Sequence, residues 1–319
     1  ISDKPEDRTA LSNWRTIGAT LAQTVIGVVL PLLVYYTDES GKSVLSGEKM
    51  MVGALVCSIC AVVCYMLCYS MTTERVKVQQ NTQKFSLGGL FKQLISNRAL
   101  IGIIVCALLL LLSQLSVSNM NAYLYPNYFG NIAAMSTATL LGSVATLVLS
   151  TFIVKLSSKV GKKELAVIGA CMSAASYIIL FILHTHNVWV WVGLIIVATI
   201  GTSMFNMVIW AMITDVIDES EVQTGVRQDG TIYSVYSFAR KLGQACSSGL
   251  SGVLLSIIGY TSATAFDTKI VDGIYNITCL VPAGGMILLL LALWFLYPLN
   301  KKRVEENAEK LRIKRNENA

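Results

Sequence analysis

LIGIIVCALLLLLSQLSV, residues 100–117, runs for eighteen positions without a charged side chain. As an α-helix it rises about 27 Å, close to the thickness of a bilayer's hydrocarbon core. Stretches of the same kind recur at 17–35, 52–71, 136–154, 165–183, 188–213, 232–258 and 274–297. In lipid every backbone N–H and C=O needs a partner within the protein, and a helix is the open-chain way to supply one. The composition agrees: 54% of the 319 residues are hydrophobic and 14% charged, against about 25% charged in a soluble domain. The sequence therefore predicts an all-α integral membrane protein with eight spans.

Basic residues set the expected orientation. Lys4 and Arg8 precede the first span, and Arg75, Lys77, Lys84, Lys92 and Arg98 separate the second from the third. Lys155, Lys159, Lys162 and Lys163 follow the fourth, and Lys301, Lys302, Arg303, Lys310, Arg312, Lys314 and Arg315 follow the last. The alternate connections hold only Lys42, Lys49 and Lys269. Both ends are thus expected on the cytoplasmic side of the cell membrane.

The longest polar connection, 72–97, contains Leu87, Leu90, Phe91, Leu94 and Ile95 at helical spacing. It is predicted to hold an interfacial amphipathic helix. Two spans precede it and six follow. Transporters are commonly built from paired structural repeats, so four helices are expected upstream of Ile1, where no initiator Met stands; a processed chain is the alternative. The corresponding division is 1–71 as the last two helices of an N-terminal half, 72–99 as linker, 100–300 as a six-helix bundle and 301–319 as a tail.

Charge within a bilayer costs about 2.5–3.5 kcal/mol per residue on insertion scales, so Lys241, deep in the seventh span, needs a reason. Ser234, Ser237, Lys241, Gln244 and Ser248 fall at three- and four-residue steps and share one face. Arg240 points about 100° away, towards a cavity edge or a neighbouring helix. Thr202, Asn206 and Trp210 repeat every four residues in the sixth span, and Gln114, Ser118 and Asn121 form a similar row in the third, with Tyr123 and Tyr125 close behind. Isolated Ser and Thr serve interhelical packing. Amides, hydroxyls and an indole face together suit sugar hydroxyls and the apolar side of a pyranose.

Asp215, Asp218, Glu219 and Glu221, with Arg227, form an acidic cluster after the sixth span. It is either solvated loop charge or a salt-bridge lock on the cytoplasmic mouth. Cys57, Cys60, Cys64 and Cys68 lie within one apolar block, the other four cysteines singly, and all eight read as buried thiols acting as small hydrophobes. The only histidines, His184 and His186, sit in one polar break and no HExxH occurs, so a membrane-embedded metalloenzyme is disfavoured. No metal site, catalytic residue or nucleic-acid partner is expected.

The stretch DVIDESEVQTGVRQDGTIYSVYSFARKLGQA, residues 215–245, resembles the glycoside–pentoside–hexuronide:cation symporters, the melibiose-permease-like branch of the major facilitator superfamily. DKPEDRTALSNWR, residues 3–15, looks like that family's connection between helices four and five. The resemblance implies a twelve-helix transporter of which this chain supplies helices five to twelve. It also implies symport of a sugar or glycoside by alternating access, with no cofactor. Lys241 matches the family's cavity lysine, Arg15 an arginine at the sugar site, and Asp215 and Arg227 the cytoplasmic charge network; with Asp218 these two form the expected cytoplasmic gate. Ser237, Tyr236, Asn206, Trp210 and Gln244 complete the expected substrate site. Asn206 stands where melibiose permease has a tryptophan, with Trp210 one turn on. Arg240 beside Lys241 resembles the glucuronide-carrying members, pointing to a hexuronide or pentoside-type glycoside. The Na+ or H+ coupling site is expected in the earlier helices. A facilitator for drugs or lysolipids is the neighbouring alternative, and its cavity would be broad and apolar.

Overall fold

A computed structural model describes residues 5–37, 43–71, 97–227, 229–261 and 264–317. Each apolar stretch becomes a helix: α1 Pro5–Val34, α2 Gly47–Met71, α3 Arg98–Asn127, α4 Ile132–Val160, α5 Lys162–Leu183, α6 Val188–Thr224, α7 Asp229–Ile257 and α8 Thr268–Phe295. A further helix, α9, covers Lys301–Glu317. The one departure from helix among the described elements is a short ribbon between α1 and α2, β1 Tyr35–Thr37 paired antiparallel with β2 Ser43–Leu45. The amphipathic stretch 85–95 lies outside the described residues.

Asparagines start three of the spans. Asn97 accepts from the Leu100 amide at 3.0 Å, Asn131 from the Ala134 amide at 3.0 Å, and Asn187 from the Trp189 amide at 2.9 Å. Each cap satisfies a donor the first helical turn leaves unpaired, for about 1 kcal/mol. Six of the described helices, α2 to α6 and α8, are long and apolar enough to cross a membrane. The remaining two of the eight, α1 and α7, carry the polar faces: Arg15, Thr16, Thr20 and Gln23 on one, and Ser234, Ser237, Arg240, Lys241 and Gln244 on the other.

α3 packs against α7 and α8, α5 against α6 and α8, and α4 against α6, with α1 laid across α4 and α6. α5 and α6 approach closely enough that a Cβ on Gly169 or Gly201 would run into the other's backbone carbonyl. Small residues at such a crossing let helix backbones meet in a membrane. α2 stands outermost against α1 and buries none of its residues. Its four cysteines are therefore exposed, as are Cys171 and Cys246; of the eight thiols expected to be buried, Cys106 and Cys279 are. The thiols on α2 lie on an apolar outer surface and not in a protein core.

α6 is longer than its apolar stretch. It has 37 residues, about 55 Å of helix, and it carries Asp215, Asp218, Glu219 and Glu221 on its final turns, where a loop had been one reading. Gly225, at φ 75°, ends it, its amide returning to the Glu221 carbonyl at 2.9 Å. That left-handed conformation is readily open to glycine. The tail is helical where it is described: α9 docks on α6 through buried Asn307 and Leu311.

Candidate functional site

A cavity of about 570 Å³ opens among α1, α3, α4, α6 and α7, within the range of small-molecule sites. Helical periodicity brings its polar groups together. α3 contributes Gln114, Ser118, Asn121 and Tyr125; α6 contributes Thr202, Asn206 and Trp210. α1 adds Arg15, Thr16, Thr20 and Gln23, and α4 adds Thr139, Ser143 and Thr146. Neighbouring walls are stitched by side chains: Asn206 Nδ2 donates to Gln114 Oε1 at 3.2 Å, Thr24 Oγ1 to Ser143 Oγ at 2.8 Å, and the Thr146 and Ser203 hydroxyls lie 2.9 Å apart. Asn121 Oδ1 is buried without a hydrogen-bond partner among the described residues, an acceptor suited to a hydroxyl donor.

Charge in the cavity is of one sign. Arg15 and Arg240 line it, and no Asp or Glu does among the described residues. Both guanidinium groups lie against Trp210, the Arg15 carbon 4.0 Å from the ring centroid and the Arg240 carbon 5.1 Å. Each contact of this kind contributes about 0.5–1 kcal/mol where water has access. Two tyrosines of α7 hold the indole, Tyr233 at 5.4 Å between centroids and Tyr236 edge-on at 5.5 Å. Arg15 Nη1 donates to Tyr233 Oη and Arg240 Nη1 to Tyr236 Oη, both at a long 3.4 Å. Cation–π stacking keeps two positive groups beside one another without a carboxylate between them.

Of the expected substrate residues, Arg15, Asn206 and Trp210 line this cavity, and Tyr236 is buried just behind Trp210. Lys241, Ser237 and Gln244 are outside its lining. α7 turns Arg240 inward, so its neighbour Lys241 emerges about 100° around the helix, exposed, with Ser237 and Gln244 half-buried beside it. The opposite face, with Ile232, Tyr236, Ala239 and Gly243, is the one packed inside. Sequence reasoning passed over the α1 row Thr16, Thr20, Gln23 and the α4 row Thr139, Ser143, Thr146. The signal was present as three- and four-residue steps, but Ser and Thr are inexpensive in membrane helices and do not stand out singly.

The acidic cluster divides among three basic partners, Arg227, Lys162 and Arg303. Arg227 donates to Asp218 at 2.9 Å, to Glu221 at 2.7 Å, and to both oxygens of Asp229 at 2.7 and 2.9 Å. Burial opposes the Arg227 charge, but these bonds outweigh it and hold the guanidinium above its ordinary pKa. The knot closes the turn between α6 and α7. Asp215 instead receives Lys162 of α5 at 2.6 and 2.9 Å. Glu219, its side chain 3% exposed, accepts from Gln223 of its own helix at 2.7 Å and from Arg303 and Asn307 at 2.5 Å each, and the last two fasten α9 to α6.

Comparison with known proteins adds a lineage to this geometry. The model of a family described as MFS/sugar transport protein matches residues 1–301. An uncharacterized symporter of Bacillus subtilis is 31% identical over 306 residues, 95% of this chain and 65% of the relative. The glucuronide carrier protein homolog of Escherichia coli is 29% identical over 311 residues, 96% of this chain and 66% of the relative. The isoprimeverose transporter of Lactiplantibacillus pentosus is 26% identical over 325 aligned positions, 97% of this chain and 66% of the relative. The chain spans about two thirds of the length of these curated relatives. The family is one of transporters and not of enzymes. With its model matching all but the last residues, the chain belongs to the MFS/sugar transport protein family.

Proposed function

We propose that the protein is a secondary active transporter that moves a sugar or glycoside of hexuronide or pentoside type, with a carboxylated one favoured, by alternating access coupled to Na+ or H+. The observation that carries this reading is the pair Arg15 and Arg240 over Trp210 in a polar cavity that no carboxylate lines among the described residues. Planar guanidinium groups bind carboxylates by charge-assisted, often bidentate hydrogen bonds. Amides and hydroxyls from α3, α4 and α6 are at hand for sugar hydroxyls. Relatives named as a glucuronide carrier homolog and as an isoprimeverose transporter support a sugar or glycoside as the solute, the first of them a carboxylated one. An amphiphile carrier would need a broad apolar chamber, which this cavity is not.

Lys241 enters the proposal through its exposure. A midspan stripe of Ser234, Ser237, Lys241, Gln244 and Ser248 is costly against lipid. It is assigned to the solute path on the side of α7 that the described bundle leaves open. Residues 1–71 are read as the end of an N-terminal half, 72–99 as linker, 100–300 as the C-terminal six-helix bundle and 301–319 as a cytoplasmic tail. Both ends then face the cytoplasm across the cell membrane. The network of Asp215, Asp218 and Arg227 serves as the cytoplasmic gate, for its bonds join α5, α6 and α7 at the end where α9 docks.

Uptake of radiolabelled glucuronide into energised membrane vesicles tests the function. Accumulation should follow an imposed Na+ or H+ gradient and collapse with the matching ionophore, while a lysolipid should not compete. Arg15→Ala and Lys241→Ala should each abolish binding while the protein still inserts. Uptake that ignores both gradients, or unimpaired transport in both variants, removes the proposal.

A further inference from the structure

A second cavity, of about 690 Å³, lies where α4 ends, α5 begins and α9 docks. Lys155, Lys162, Lys163 and Lys301 line it together with two carboxylates, Asp215 and Glu305. Lys162 is committed to Asp215 at 2.6 Å. Lys301 reaches Glu305 only at 4.0 Å and donates to the Lys159 carbonyl at 3.0 Å, while Lys163 donates to the Tyr297 carbonyl at 2.6 Å. Lys155 is exposed at the rim. Four ammonium groups thus meet two carboxylates in the lining, and the cavity is left cationic.

The approach to the cavity is apolar. On α4, Val144, Val148 and Phe152 are exposed at four-residue steps, and the row continues into Lys155 and then Lys159. Hydrocarbon surface running into cations along one helical face has the shape of an amphiphile with a negative head. Within the cavity Val154, Leu299 and Val304 continue the apolar surface behind the lysines.

We propose that this cavity binds the phosphate headgroup of an anionic phospholipid, its acyl chain lying along Val148 and Phe152. Basic pockets between membrane helices recognise such headgroups. A zwitterionic lipid would bring its own ammonium group towards the lysines, and a free phosphate would make no use of the apolar row. The site is separate from the sugar cavity and does not depend on what that cavity carries.

Native mass spectrometry of the purified protein in a neutral detergent tests the assignment, with dioleoylphosphatidylglycerol, dioleoylphosphatidylcholine and inorganic phosphate as probes. Phosphatidylglycerol should be retained in preference to phosphatidylcholine. Lys155→Gln, at a side chain with no packing role, should weaken it about fivefold, and Lys155→Gln with Lys163→Gln about 30-fold. Lys310→Gln with Arg312→Gln, an equal loss of charge elsewhere on α9, should leave it as in the parent protein. Val148→Ser with Phe152→Ser should weaken the lipid and leave phosphate unaffected. The proposal is overturned if Lys155→Gln changes nothing or if the remote pair weakens the lipid equally. It is likewise overturned if millimolar phosphate displaces the lipid with the same lysine dependence, which would make this a site for a soluble anion.

Discussion

Replacing Arg240 by glutamine keeps a long polar side chain on α7 and removes its charge. The guanidinium lies 5.1 Å from the Trp210 centroid and 3.4 Å from Tyr236 Oη. The folded state loses two exposed-type cation–π contacts, with Trp210 and, at 5.9 Å, with Tyr236, about 0.5–1 kcal/mol each, while Arg15 remains at 4.0 Å on the indole. The loss in recognition is larger and selective. A hydrogen bond to a charged group is worth about 1.5–3 kcal/mol, which is about 10- to 150-fold in affinity. Isothermal titration of the purified protein with a glucuronide, and with the neutral glycoside that lacks its carboxylate, separates the two effects. The glucuronide should weaken by that factor and the neutral glycoside by no more than about threefold, the part attributable to the packing change. An equal loss for both ligands would mean that Arg240 shapes the cavity without reading charge. No loss for either would take Arg240 out of the site.

Other substitutions probe separate parts of the structure. Trp210→Ala removes the ring that both guanidinium groups share, so the affinities for neutral and anionic glycosides should fall together in a competition assay, unlike those of Arg240→Gln. Glu219→Gln weakens the attachment of α9, by less than the full 1.5–3 kcal/mol of a charged hydrogen bond, because Arg303 is 47% exposed. Amide exchange should rise across 301–317 and stay unchanged across 268–295; protection of both would contradict the assigned contact. Gly201→Val places a side chain against the Gly169 carbonyl and Ser173. Overpacking of about 1–3 kcal/mol or more should show as loss of monodisperse protein in size-exclusion chromatography.

The membrane spans were legible because hydropathy is read one helix at a time. All eight apolar stretches correspond to helices; six of them are long and apolar enough to cross a membrane, while the polar faces of α1 and α7 leave those two less apolar. Rotation of a helix about its axis was less legible. Adjacent Arg240 and Lys241 both read as cavity candidates, and a stripe of serines favoured Lys241. Which of them turns inward depends on Ile232, Tyr236 and Ala239 packing on the opposite side, contacts that exist only once α3 and α6 are in place. The acidic residues from Asp215 to Glu221 posed a different difficulty. Charge suggested the end of a helix, yet Lys162, Arg227 and Arg303 pair with them and let α6 continue. Those partners are distant in sequence or lie beyond a turn, and local reading does not connect them.

The length of α6 has a mechanical consequence. Asn206 and Glu219 ride on one unbroken rod, separated by thirteen residues, or about 20 Å. Pivoting that rod by about 5° at the level of Asn206 would carry Glu219 sideways by roughly 1.7 Å, given the rise of 1.5 Å per residue. Its bonds to Arg303 and Asn307 of α9 each measure 2.5 Å, and stretching by that amount exceeds the range in which a hydrogen bond survives. A tilt too small to repack the chamber is thus enough to uncouple the terminal helix, which makes α9 a sensitive pointer for events at the indole.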